Sequence, residues 1–270
     1  MTYLPNRRGF IATAGSLAAG AFCATGAVGA AELKKYKFDI SLAGWSLHRS
    51  LGDGAGKKPM LDMPKIAKQE FGIGAIELVS QMFASDSPEY IAKLGAAAEK
   101  EGVKMLLVMI DGQGDIGAED AAAREQAVQK HKHWIEIAAT LGCHSVRMNW
   151  TGGPQNVLED IEALRDFGRR SIPGFRALCE FGDSKDINVM VENHGGPSSY
   201  PEALTRVIDR VAHPRMGTLP DFGNFPDDVD RYAAIDAMMP YAKAVSAKCY
   251  DFDDTTGLET KIDYPRMMEI

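Results

Sequence analysis

The sequence predicts an α/β fold, a (β/α)8 barrel with about seven of its eight units present, on three observations. Short runs rich in Val, Ile, Leu and Met alternate with longer stretches whose apolar residues recur at helical spacing. The short runs are apolar on both faces, as in a parallel sheet covered by helices on each side. Polar residues stand at the C-terminal end of nearly every run, the rim where such barrels gather their chemistry. A doubly wound sheet is the rival, but the first run is followed by WSLHRSLGDG, which is not its GxGxxG turn.

In chain order, an export segment comes first. Residues 5–31, PNRRGFIATAGSLAAGAFCATGAVGAA, hold a twin arginine (Arg7, Arg8), then Phe10-Ile11, then an uncharged Gly/Ala-rich run. This reads as a twin-arginine signal with a small-residue cleavage site near Val28-Gly29-Ala30, which sends the chain to the periplasm or outside the cell. The run is too weakly apolar for a stable membrane anchor, and Phe22 before Cys23 argues against a lipoprotein. Residues 1–31 are therefore set apart from a barrel over 32–270. The strand candidates are 38–44, 74–80, 103–110, 144–150, 187–193, 215–222 and 243–250. Helix candidates lie near 62–71, 87–101, 119–141, 157–184, 200–212 and 228–239, with Asp62, Ser87 and Ser199 as capping signals. A closed barrel needs an eighth strand and helix, about 35–40 residues more, so a C-terminally truncated copy is expected, with the eighth unit missing.

Composition narrows the functional classes. The net charge is −7, and setting aside Arg7 and Arg8 leaves the remainder at −9. With no Lys/Arg run to form a basic groove, nucleic-acid binding is disfavoured. Cys143, Cys179 and Cys249 form no CxxC pair, so they read as small apolar core residues rather than zinc ligands or disulfides.

The stretch VENHGG carries the densest chemistry. Glu192 should stand at a strand mouth, with Asn193 alternating away and His194 returning to the same side. A carboxylate and an imidazole so placed suit metal ligation or proton transfer, while a buried Glu–His tie between strand and loop is the competing reading. In the next strand, GTLPDFGN places Asp221 at the neighbouring mouth and Asn224 one turn later. Strand mouths about 5 Å apart let Glu192 and Asp221 reach one divalent cation, although Asp221 could instead be a helix cap. Asn224 and other rim residues are candidate substrate contacts: Trp45, His48, Glu77, Asp111, Arg147 and Asn149. Core filling competes for Trp45, and ion pairing competes for Glu77 and Lys248. His131, His133 and His213 fall on helix or loop surface patterns, and His144 precedes its strand on the opposite rim.

The motifs VENHGG, GTLPDFGN, AVSAKCYDF and IDYPRM, preceded by SLAGWSLHRSL, IELVSQMF, LLVMIDG and LGCHSVRMNW, resemble the xylose isomerase-like TIM-barrel superfamily. Specifically, they look like its exported branch labelled "sugar phosphate isomerase/epimerase". The resemblance implies a TIM barrel holding Mn²⁺, Mg²⁺ or Zn²⁺ through a Glu after strand five, an Asp after strand six, a His after strand seven and a Glu after strand eight. Glu192 and Asp221 match the first two; Ser246 stands where the His is usual, with Lys248 two residues on, and the fourth position lies past residue 270. It further implies proton transfer on a small carbohydrate through an enediolate, with Glu192 as one acid/base and the missing strand-eight Glu as the other. His194 and Lys248 are catalytic candidates from their own rim positions, Lys248 to orient substrate or replace a ligand's charge. Export and the lack of a phosphate loop favour a neutral sugar, keto-sugar or glycoside. A 3-keto-glycoside lyase or hydrolase using the same base, and a non-catalytic sugar-binding barrel, are the alternatives. A homo-oligomer is compatible with the sequence.

Overall fold

A computed structural model describes residues 39–154 and 157–270, and the expected export segment lies outside these described residues. From Ile40 to Ile270 the chain forms one unit built on a parallel sheet of six strands in sequential order. The strands are β1 (Leu42–Ala43), β2 (Ala75–Val79), β3 (Lys104–Ile110), β4 (Ser145–Met148), β5 (Asn188–Glu192) and β6 (Met216–Leu219). Between them run α1 (Met63–Phe71), α2 (Pro88–Glu101), α3 (Ala121–Thr140), α4 (Ile161–Asp183) and α5 (Pro201–Val211); α6 (Arg231–Met238) and α7 (Tyr264–Met267) follow β6. Every connection crosses over through a helix because parallel neighbours cannot be joined by a hairpin. Among the described residues no helix is long and apolar enough to cross a membrane.

The apolar character of the strands follows from their burial. Val146 and Met148 of β4, Val189 and Val191 of β5, and Leu107 and Val108 of β3 are buried, inside one core with Phe167, Phe175 and Leu178 of α4. Alternate residues of a strand face opposite sides, so a sheet covered on both sides needs apolar residues at consecutive positions. Helix ends follow local rules. Gly72 and Gly102 close α1 and α2 in the left-handed conformation, and the Ser87 hydroxyl accepts from the Tyr90 N–H at the start of α2.

Several expected elements differ. The first strand shrinks from 38–44 to Leu42–Ala43, and a 3₁₀ turn, Gly44–Leu47, follows at once. The seventh strand does not form as a regular element, so the described residues carry six strands rather than seven. Its segment still runs beside β6 through isolated parallel bridges, Thr218 with Ala242 and Asp221 with Ser246, the register slipping by one residue between them. Pro220 is the local cause. Its carbonyl accepts from the Ser246 N–H, but proline has no N–H to return, so the ladder breaks there. Asp62 ends a 3₁₀ turn and makes no capping bond, and Ser199 does not cap α5 but binds the loop after β6. His131 and Cys249 also differ from expectation. His131 is buried with Nδ1 on the Ala127 carbonyl, and Cys249 is exposed beside the Tyr264 hydroxyl.

Candidate active site

Because all six strands run the same way, their C-terminal ends lie on one edge. The groups there form a continuous polar network. On its first side, Asp111 follows β3 and Arg147 and Asn149 belong to β4 and its end. Arg147 Nη1 donates to Asp111 Oδ1 at 2.6 Å, and Asn149 Nδ2 donates to the same oxygen at 2.8 Å. The Asp111 N–H is held by the Ser80 hydroxyl at 3.1 Å, and Trp45 Nε1 reaches Asp111 Oδ2 at 3.3 Å. Trp45 remains 39% exposed on the 3₁₀ turn after β1, its indole partly open to solvent. His48, one residue past that turn, spends Nδ1 on the Trp45 carbonyl at 2.7 Å.

Arg147 has a different setting from a rim residue waiting for substrate. It is 2% exposed, and its Nε lies 2.8 Å from Glu192 Oε2, an ion pair at close range whose atoms are not aligned as a hydrogen bond. Glu77, within β2, also faces this guanidinium and accepts from the Ser41 hydroxyl at 2.6 Å. Burial raises the Glu77 pKa above the usual carboxylate range, while Ser41 and Arg147 pull it back.

The second side is built by β5, β6 and the segment beside them. Glu192 is the last residue of β5 and 5% exposed; Asp221 follows β6 and is 3% exposed. Asn193, expected to point away, clamps the two mouths together. Its Oδ1 accepts from the Asp221 N–H at 2.7 Å and its Nδ2 donates to the Asp221 carbonyl at 2.9 Å. Asp221 Oδ1 accepts from the backbone N–H groups of Gly223 (2.8 Å) and Asn224 (2.9 Å), and Oδ2 accepts from the Ser246 hydroxyl (2.8 Å). The loop is thus wound around the carboxylate. Asn224 Nδ2 donates to Glu192 Oε1 at 3.2 Å, and its Oδ1 accepts from Lys248 Nζ at 2.6 Å. Tyr250 closes over this loop with its hydroxyl on the Gly223 carbonyl at 2.5 Å, and a Cβ at Gly223 would strike that hydroxyl.

Glu192 is the group the site perturbs most. Burial pushes its pKa up to about 7. Arg147 opposes the rise, Asp221 adds to it by repulsion and by sitting close enough to share a proton, and Lys248 opposes it again. His194 is exposed two residues later, where Gly195 and Gly196, both at positive φ, turn the chain. Partial desolvation, then the Arg147 charge, lower its pKa below the usual imidazole value.

The structure thus joins Glu77, Asp111, Arg147, Asn149, Glu192, Asp221, Asn224 and Lys248 in one network, with Trp45 at its edge and His194 near it. His48 meets this network at Trp45, its Nδ1 on the Trp45 carbonyl and its ring 6.3 Å from the indole. Sequence reasoning missed Asn193, Ser80, Ser41 and Tyr250. The position of Asn193 immediately after a mouth carboxylate was the one available signal.

The residues do not fit a resident divalent ion. Among the described residues no three His, Cys, Asp or Glu side chains gather as ligands. Among the described residues Glu192 and Asp221 are the acids at the expected position, and each of their oxygens already faces a donor or a cation.

A six-stranded parallel sheet with crossover helices and an acid-bearing mouth defines a protein of the (β/α)-barrel class. A sequence model of the xylose isomerase-like TIM-barrel family matches residues 65–264, and the chain belongs to that family. The fold is similar to that of the 3-keto-D-glucoside 4-epimerase of E. coli in its apo form, at 15% identity and a TM-score of 0.66 over 86% of each chain. It is similar to a D-tagatose 3-epimerase-like protein at 18% identity and a TM-score of 0.67, over 86% of this chain and 85% of that one. A xylose isomerase-like TIM-barrel protein from Mycobacterium smegmatis, in complex with magnesium, matches at 19% identity and a TM-score of 0.59, over 82% of this chain and 78% of that one. No curated protein sequence matches the chain.

Proposed function

We propose that the protein is a sugar isomerase or epimerase that moves a proton on a neutral sugar or keto-sugar through an enediolate. One observation carries this reading. Glu192 is a buried carboxyl whose pKa, about 7, suits a group that must both take and return a proton at neutral pH. The fold shared with a 3-keto-D-glucoside 4-epimerase and a D-tagatose 3-epimerase-like protein supports the substrate class.

In this mechanism the substrate carbonyl oxygen accepts from the Lys248 ammonium. The Glu192 carboxylate, held close to Arg147 without an aligned hydrogen bond to it, removes the proton from the adjacent carbon. The C–H electron pair becomes a C=C bond, the carbonyl π pair moves onto oxygen, and Lys248 stabilises the negative charge that develops there. Return of the proton to the former carbonyl carbon, with the hydroxyl proton passing to the enediolate oxygen so that the new carbonyl forms on the first carbon, gives an isomer. Return to the same carbon on its opposite face gives an epimer, with His194 the candidate relay at the mouth. Trp45 offers a flat apolar face to the sugar ring. The strand-mouth cation Arg147 is buried, so the site favours uncharged sugars over phosphorylated ones. Export by the twin-arginine route, bringing the enzyme to periplasmic or extracellular sugars, belongs to the same proposal.

The test is solvent exchange. Ketohexoses and 3-keto-glucosides incubated in D₂O with the wild-type protein should acquire deuterium next to the carbonyl and yield an epimer or isomer. Glu192→Gln should slow that exchange by roughly 10²–10⁴-fold. Retained exchange in this variant removes Glu192 as the base, and release of a free aglycone would instead mark elimination by the same base.

A further inference from the structure

We infer that the positive charge a divalent ion would bring to this mouth is supplied by the chain itself, through Lys248 and Arg147, so that the Glu192–Asp221 site neither needs nor tightly holds such an ion. The inference rests on the proton-transfer reading above and specifies its electrophile. Its first support is the state of the oxygens. Asp221 Oδ1 is taken by two backbone N–H groups and Oδ2 by Ser246, whose hydroxyl points its proton at the carboxylate rather than offering a lone pair to an ion. Glu192 Oε1 is bound by Asn224, and Oε2 faces the Arg147 guanidinium. A hard cation needs about six oxygens turned toward one point, and these are turned toward donors.

The second support is charge. Lys248 Nζ is tied by Asn224 Oδ1 at 2.6 Å, and the other end of the same amide holds Glu192. An ion seated between the two acids would lie close to one ammonium and one guanidinium, a repulsion that a buried, low-dielectric site does not screen. Lys248 and Arg147 thus set two positive charges beside the two acids, the Arg147 charge being shared with Asp111 and Glu77. The cations differ in role. Arg147 is buried and bound to Asp111 as well, so it is a positioning residue that fixes Glu192. Lys248 is half-buried on a flexible stem and is the catalytic residue that reaches the substrate oxygen.

The experiment uses the chelator-treated full chain, titrated with Mn²⁺ and read by the paramagnetic resonance of free Mn²⁺, alongside deuterium exchange with and without chelator. Wild type should show no saturable micromolar site, and chelator should leave exchange unchanged. Lys248→Met should slow exchange by roughly 10²–10³-fold with an unchanged melting temperature. The double variant Ser246→His, Lys248→Met, which removes the ammonium and adds a third donor, should gain Mn²⁺ binding; failure of the folded variant to do so would show that Lys248 is not what excludes the ion. A saturable wild-type site lost in Asp221→Asn, or exchange abolished by chelator and restored by Mn²⁺, overturns the inference. If the wild type exchanges no substrate at all, the proton-transfer reading falls, and the Mn²⁺ titration still decides which charge occupies the mouth.

Discussion

The two sides of the strand-mouth network use the same kinds of residue to opposite effect. On the β3–β4 side, Asp111 sits among Arg147 Nη1, Asn149 Nδ2 and Trp45 Nε1, three donors for one carboxylate. On the β5–β6 side, Glu192 sits beside a second acid, and its contact with Arg147 is close but poorly aligned. The same guanidinium serves both, well on one end and loosely on the other. An acid surrounded by donors is a structural anchor. An acid beside another acid, in a buried site, is held near the point where it can exchange a proton.

Removing the shared cation should break the contrast most strongly. Arg147→Met leaves Glu77, Asp111 and Glu192 facing one another without compensation, and a loss of roughly 3–5 kcal/mol in denaturant unfolding is expected. Where enough protein folds to assay, the pH midpoint of exchange should rise, because Arg147 lowers the Glu192 pKa. Arg147→Lys should bring that midpoint part of the way back. An unchanged midpoint would confine Arg147 to a structural role.

The clamp between the mouths comes next in size. Asn193→Ala strips partners from the buried N–H and carbonyl of Asp221, at a cost of roughly 2–4 kcal/mol measured by the same unfolding curves. A cost near zero would mean that the adjoining backbone holds Asp221 unaided.

The pH profile sharpens the comparison without greatly disturbing the fold. Glu192 must be ionised to accept a proton, so kcat/KM should rise with pH through a midpoint near 7. Asp221→Asn removes the neighbouring charge that helps raise this pKa, so the midpoint should move down. The same shift has a stability consequence of opposite direction. With the folded-state pKa of Glu192 raised above its ordinary value of 4.5, its contribution is fully present below that value and is lost as pH rises through about 7. The smallest expected change is at the edge of the network, where Trp45→Phe removes one long hydrogen bond from an exposed ring and should alter stability by about 0.5 kcal/mol or less. A larger loss, seen in the unfolding midpoint, would promote Trp45 to the anchored side.

Much of the scaffold was legible because its signals are periodic. The helices near 87–101 and 119–141 emerge as Pro88–Glu101 and Ala121–Thr140, where apolar spacing and capping agree. Irregular pairing was not legible. The run 243–250 has the composition of a strand, yet Pro220 on the neighbouring strand denies it a regular ladder, and composition does not report what its partner can donate. The acids Glu192 and Asp221 could be located from their positions after apolar runs. The burial of Arg147 could not, since in RMNW it follows the same alternation whether its charge faces solvent or three carboxylates. Likewise, two-residue alternation assigns Asn193 to the opposite side, but alternation ends where the strand ends, and the side chain is free to reach across.

That reach makes the Asn193 amide a stand-in peptide group. The last regular register pair joins Glu192 to Leu219, and beyond it the amide offers Asp221 the same donor and acceptor that another strand residue would have offered. The main chain is thereby released from pairing one step early and can bend through Gly195 and Gly196 while its grip on the neighbour persists. Loops after β5 of different length or composition could be grafted at that bend and leave the spacing of the two acids intact.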